Sequence, residues 1–330
     1  MKFATYRDGG ATRIGVVHDG DAQVFDLAAA AGRDGMTASA FQSMQSLIDA
    51  DDAGIEQARQ LFEKRRGEMD LSIALKSVQL LAPLPRPVQM RDGMSYPTHI
   101  RQAPRGAQAQ LARLSGGEAA AKAVMAQPLG ELPAIFSQMP IYYFTNRMTV
   151  VGPDEVVQWP RYSNVMDYEL EVAIVTKRTA ANISVAQGRN HIFGYTIFND
   201  FSARDRQSQE MRGRLGPAKG KSFDGSNAMG PWIVTPDELG EVQALKVAVR
   251  VNGETRAEGH TGGMLFPFEA ILADASQDET IHAGEVFGSG TVGNCCGLEI
   301  DRFLRSGDVI ELEVEKIGVL RNKVVRQDKR

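Results

Sequence analysis

The stretch MDYELEVAIV, residues 166 to 175, carries Glu169 and Glu171 on alternate positions of a run that is otherwise apolar. A strand turns successive side chains to opposite faces, so Glu169, Glu171, Ala173 and Val175 share one face while Leu170, Val172 and Ile174 share the other. With apolar residues on both faces the carboxylates enter an interior, where an ionised carboxylate requires a cation or takes up a proton. Two partners fit: a divalent metal, whose hard charge suits oxygen ligands, or a basic side chain at the strand's rim. A second run, VIELEVEKIG, sets Glu311, Glu313 and Glu315 among Ile310, Leu312 and Val314. That is the alternation of a strand with one solvated face, and it calls for no chemistry.

Further along, IFGYTIFNDFSARDRQSQEM reads as a strand ending at Asp200 and a helix with Ser202 as N-cap and Asp205 as its capping-box partner. On that helix Arg204 and Gln207 share a face just beyond Asp200, although an ion pair of Arg204 with Asp205 or Glu210 is the plainer reading. In RDGMSYPTHIRQA, Asp92 precedes His99 by seven residues. Histidine titrates near neutrality and suits proton transfer, whereas His18, His191, His260 and His282 carry no motif and read as structural. Two Gly-rich hits fail on context. GSGTVG, residues 288 to 293, has the dinucleotide-binding spacing, but no long helix opens after it and only 37 residues follow. GPAKGKS, residues 216 to 222, is one residue short of a P-loop and runs into a loop, so Lys221 needs another explanation.

Taken in order, YELEVAIV, GYTIFNDFSARDRQ, LGPAKGKSFD with GPWIVT, GSGTVG and CGLE resemble the fumarylacetoacetate hydrolase family, from about residue 88 to the end of the chain. The resemblance implies an α+β, mainly β fold: the family's mixed β-sandwich roll behind a small N-terminal α/β domain. It implies that Glu169, Glu171 and Asp200 hold a divalent cation, Mg²⁺ with Ca²⁺ or Mn²⁺ as substitutes, and that Asp92 is a fourth oxygen ligand. It gives His99 as general base with Glu299 as its partner, and Lys221, Arg204 and Gln207 as the oxyanion side. Thr291 is expected to bind the substrate's carboxylate or carbonyl end, and Tyr143 to contact the substrate. The implied activity is hydrolysis of a carbon–carbon bond in an acylpyruvate or related β-diketo acid. Water attacks one carbonyl while the other accepts electrons as an enolate that a carboxylate-held cation stabilises. Decarboxylation, keto–enol isomerisation or dehydration of a 2-keto acid would use the same site, and a binding protein without turnover is a third reading. One departure stands out: many small-substrate members carry His-x-x-Glu after a tyrosine, and this chain reads His99-Ile100-Arg101-Gln102, where Gln102 cannot serve as a base.

Positioning these residues falls to elements the sequence outlines. KFATY and TRIGVVHDGDAQVFDL read as strands joined at an Asp-Gly hairpin, and a helical stretch from about Thr37 to Arg66 breaks near DADDAG. Prolines 83, 85 and 87 mark a linker, giving a leading domain over 1–82 and a catalytic domain over 83–330. Residues 101–139, rich in Ala and Gln and broken at Gly116-Gly117, are expected to form a lid-like helical insertion. From Tyr142 onward short β-like runs without βα alternation predict mixed or antiparallel sheets. A net charge of −4 gives no reason to expect nucleic acid or an anionic membrane as partner, which leaves a small keto acid and, by resemblance, a homodimer. No apolar run has the length of a membrane span, MKFATYRDGG lacks a signal-peptide core, and the only cysteines, Cys295 and Cys296, are adjacent. These features fit a cytoplasmic protein, and the adjacent spacing does not suit a zinc site built from the pair.

Overall fold

The computed structural model describes residues 1–326. Its centre is the strand Leu170–Thr176, buried at every position and paired antiparallel with Ile192–Asp200 on one side and Val286–Gly288 on the other. The period-two pattern is realised as two cores. Leu170, Val172 and Ile174 pack with Ile197, Phe201 and Phe287. Ala173 and Val175 pack with Phe193, Phe198, Met229 and Val286, in a core that continues into Phe3, Ile14 and Phe25 of the leading segment. Each large apolar side chain so buried contributes about 1.5–3 kcal/mol, which fixes the register and therefore where the acidic residues point.

Along its main path the twelve-stranded sheet runs Ser72–Ala74, Gln23–Asp26, Ala11–His18, Lys2–Asp8, Asn227–Val234, Ile192–Asp200, Leu170–Thr176, Val286–Gly288, Met90–Gly93 and Tyr142–Phe144. The leading segment thus adds its strands to the same sheet through Lys2–Asp8 against Asn227–Val234. Its helices Met44–Asp49 and Asp51–Arg65 are separated at Ala50, where DADDAG interrupts the pattern. A five-stranded sheet, ordered Glu254–His260, Lys246–Val251, Val309–Val314, Gly318–Arg326 and Val156–Trp159, covers the other side. The architecture is the mixed α+β one that the family resemblance implies, with the mixed sheets that the patterning predicts.

The helix Pro97–Met125 opens on a proline in its first turn, where the missing N–H costs nothing, and breaks at Gly117, whose φ of 70° is left-handed. Gly106 lets it lie against the short helix Gly297–Ile300, since a Cβ there would stand 2.1 Å from the Leu298 carbonyl oxygen. One local expectation is corrected. The helix after Asp200 runs Arg204–Met211 without a side-chain cap, because Ser202–Ala203 forms a short strand against Met166–Asp167. Among the described residues no helix is long and apolar enough to cross a membrane.

Candidate active site

Strand register assembles three carboxylates. Met90–Gly93 runs parallel to Val286–Gly288 with Asp92 opposite Gly288, Glu171 sits on the strand beyond, and Asp200 closes the next. Oxygens of Asp92, Glu171 and Asp200 lie within 4.8 Å of one another. Buried Asp92 Oδ1, Glu171 Oε1 and Asp200 Oδ1 have no hydrogen-bond partner, while Glu171 Oε2 accepts from the Gly290 amide at 2.9 Å. A side chain on Gly288 would fill the cradle, its Cβ falling 2.4 Å from Asp92 Oδ1 and 2.7 Å from Glu171 Oε2. Burial pushes all three carboxyls up, and neighbouring Asp92 adds to the effect on Glu171. Orphaned oxygens and an oxygen-only donor set fit a hard divalent cation.

Glu169 meets a different partner. Its Oε1 accepts from Arg204 Nη2 at 2.7 Å, and its Oε2 accepts from Lys221 Nζ, which also donates to Asp200 Oδ2. Burial alone would raise this carboxyl, but Arg204 and Lys221 outweigh it and hold Glu169 well below the usual range. Of the two partners allowed by the sequence, basic side chains meet Glu169, while Glu171 faces carboxylate oxygens whose arrangement would suit a cation. Arg204 does not pair with Asp205 or Glu210. Asp205 instead accepts from Ser163 Oγ and the Asn164 amide, and Glu210 from Arg206. Tyr143 donates its hydroxyl proton to Asp200 Oδ2 at 2.8 Å, and Gln207 Oε1 accepts from Arg204 Nη1 at 3.0 Å.

His99, in the first turn of the long helix, stands between two carboxylates. Its Nδ1 is 3.2 Å from Glu299 Oε1 and its Nε2 is 3.8 Å from Glu169 Oε1. Glu299 is held by its helix N-terminus, where Oε2 accepts the Cys296 amide at 3.1 Å. Gln102 donates to Asn294 Oδ1, so the departure at this position leaves the His99–Glu299 pair intact. Above these groups lies a cavity of about 1410 Å³, reached by Asp92, His99, Tyr143, Gln207, Lys221 and Thr291 and walled by Ile100, Leu111, Phe136, Met211 and Leu215.

Asp167 is the residue that motif reading passes over. Fully buried, it accepts from Arg204 Nε at 2.7 Å, from the Gly297 amide at 2.7 Å and from the Leu298 amide at 2.9 Å. One carboxylate thereby fixes both the guanidinium at Glu169 and the helix that carries Glu299. The signal was in the sequence, since Asp167, Glu169 and Glu171 form one alternation.

The family described as fumarylacetoacetate (FAA) hydrolase C-terminal matches residues 112–325. The oxaloacetate tautomerase YisK of Bacillus subtilis is 30% identical over 98% of this chain and 100% of its own length. The mitochondrial oxaloacetate tautomerase FAHD2A of Homo sapiens is 31% identical over 79% of this chain and 77% of its own. Among solved structures, the fumarylacetoacetate hydrolase of Exiguobacterium antarcticum superposes with a TM-score of 0.70 at 27% identity, covering 99% of this chain and 100% of that one. The tautomerase relatives overturn the expectation of carbon–carbon bond hydrolysis and favour the isomerisation named beside it.

Proposed function

Because this chain belongs to the fumarylacetoacetate hydrolase family of enzymes, we propose that it is a divalent-cation-dependent keto–enol tautomerase of a short 2-oxo dicarboxylic acid, with oxaloacetate as the reference substrate. The observation that carries this reading is His99, held between Glu299 and Glu169 at the edge of the three-carboxylate cradle. Hydrolysis and tautomerisation share an enolate, but only hydrolysis also requires a water delivered to a carbonyl carbon. Moving a proton between carbon and oxygen needs less: a base, a charge sink and a fixed substrate.

Asp92, Glu171 and Asp200, with Glu169 beside them, would hold the cation, Mg²⁺ or another oxygen-preferring ion, and its chemistry when bound is to polarise the 2-oxo acid's oxygens. The chain's own groups do the rest. His99 takes the proton from C3 of the keto form, and Glu299, beside Nδ1, steadies the imidazolium. The negative charge that develops on the C2 oxygen faces the Lys221 ammonium and the Arg204 guanidinium. The proton held on His99, passed to that oxygen, completes the enol and returns the imidazole to its neutral form. No carbon–carbon bond breaks, and the reverse path returns the proton to C3. Gln207 and Thr291, which line the cavity, are the groups in reach of the substrate's remaining polar end.

The experiment is to follow decay of the enol absorbance of oxaloacetate on adding Mg²⁺-loaded protein while assaying pyruvate and carbon dioxide. Accelerated decay without either product supports the tautomerase. Stoichiometric pyruvate would sink it.

A further inference from the structure

Beside the oxygen-only cradle lies a second group of ligand atoms with a different chemistry. A His99 ring nitrogen, the Cys296 sulfur and a Glu169 oxygen lie within 4.8 Å of one another, all three residues buried. His99 Nδ1 is 3.9 Å from Cys296 Sγ and 3.2 Å from Glu299 Oε1. That Glu299 oxygen accepts no hydrogen bond although the residue is only 3% exposed. The Glu299 backbone N–H donates to the Cys296 sulfur, a contact that favours a thiolate once a cation is present. Without one, Cys296 is no nucleophile: burial, and then Glu299, push its thiol well above the ordinary range. An imidazole, a thiol and two carboxylates in one pocket form the donor set that zinc takes and magnesium declines.

We infer that His99, Cys296 and Glu169, with Glu299 as a further oxygen, form a thiophilic cation site that binds Zn²⁺ and blocks the proton-transfer base. Binding exchanges one bond for another without redox change: the zinc–sulfur bond forms as the thiol proton leaves to solvent, and a His99 nitrogen lone pair becomes a zinc ligand. The cradle and this site share a wall at Glu169, so the enzyme has an activating position for a hard ion and an inhibitory one for a softer ion. The site stands on geometry alone, and its inhibitory consequence rests on the proposed function.

Co²⁺, which accepts the tetrahedral ligand sets of zinc, reports thiolate ligation through a charge-transfer band in the near ultraviolet. Titrated into the Mg²⁺-saturated full chain, it is expected to give that band in the wild type and in Cys295→Ser, to lose it in Cys296→Ser, and to be displaced by Zn²⁺. In Cys296→Ser the Zn²⁺ concentration that halves the variant's own rate is expected to rise at least about tenfold, as for losing a group that tunes a metal site. Cys296→Ala, with a thermal melt and Mg²⁺ binding on both variants, separates a lost ligand from a lost fold. A wild type without the band, a band that survives both Cys296 variants, or one that vanishes in Cys295→Ser overturns the site. Full zinc occupancy with undiminished turnover overturns the inhibition. Since the spectrum requires no substrate, failure of the tautomerase reading would leave the band in place.

Discussion

Two Glu-x-Glu strands in one chain meet opposite fates. Glu311 and Glu313 alternate with buried Ile310, Leu312 and Val314, and the partly exposed Arg250 meets both of them at the surface. Glu169 and Glu171 are 3% and 1% exposed and face the outside only through the cavity above them. The local pattern is the same, and the difference lies in the neighbouring strands. A surface pair is worth roughly 0–1 kcal/mol, whereas removing one partner of a buried pair costs about 3–5 kcal/mol, so only the second strand can carry chemistry at a cost in stability. An acidic alternation becomes a site when the face opposite its solvent side is buried as well.

Substitutions can break or sharpen that contrast. The largest effect is expected from Glu171→Gln, which leaves an amide in the cradle: Mg²⁺ affinity by calorimetry should fall at least about 100-fold and turnover with it, more than any change around the ion would cause. Unchanged affinity would show that the cradle is not the cation site. Asp167→Asn tests the hub behind the site. With Arg204 and the Glu299 helix released together, kcat should drop about 10–100-fold and the pH–rate profile should move, while Mg²⁺ affinity stays within about threefold. Restoration of the profile by Asp167→Glu would mark the carboxylate as positioning rather than merely structural.

Acidity gives a third handle. Burial raises Glu171 and Asp200, so the cation-free fold binds protons that the unfolded chain has already released. Their contribution is fully present below the ordinary carboxylate pKa and is lost as pH rises through the raised values. Metal-stripped protein should therefore melt at a lower temperature at pH 8 than at pH 6, and Mg²⁺ should narrow the gap. A gap of the opposite sign would contradict protonation in the cradle. The smallest effect belongs to the solvated strand: Glu313→Gln should change urea stability by no more than about 1 kcal/mol and leave turnover untouched. A larger loss would erase the distinction between the two strands.

Much of the site was legible because its residues sit in runs whose order is informative: the acidic alternation, the strand that ends at Asp200, and Lys221 in a phosphate-loop look-alike. GSGTVG, rejected for nucleotides, has a physical role of its own, with Gly288 leaving room for the carboxylates and the Gly290 amide donating to Glu171. What escaped depends on pairing across the chain. The Ser202 cap failed because a strand at 166–167 claims Ser202. Asp167 escaped because its partners, the Gly297 and Leu298 amides, lie far along the sequence. Cys296 gains its metal-like neighbours only through the bridge that sets Glu169 against it, which no spacing between cysteines reveals.

The parallel pairing of Met90–Gly93 with Val286–Gly288 joins distant parts of the chain to complete the cradle. Such long-range contacts close late in folding, so competence to hold a cation should arise only with the last closures rather than from any early fragment. Both strands join the sheet on one side of Leu170–Thr176, whose two faces feed the two cores, and there opening should approach global unfolding in cost and amide exchange should be slowest. An ion seated there would therefore leave through the cavity and not by breathing of the sheet, which would make its residence time a property of the helix Pro97–Met125 that lines the cavity.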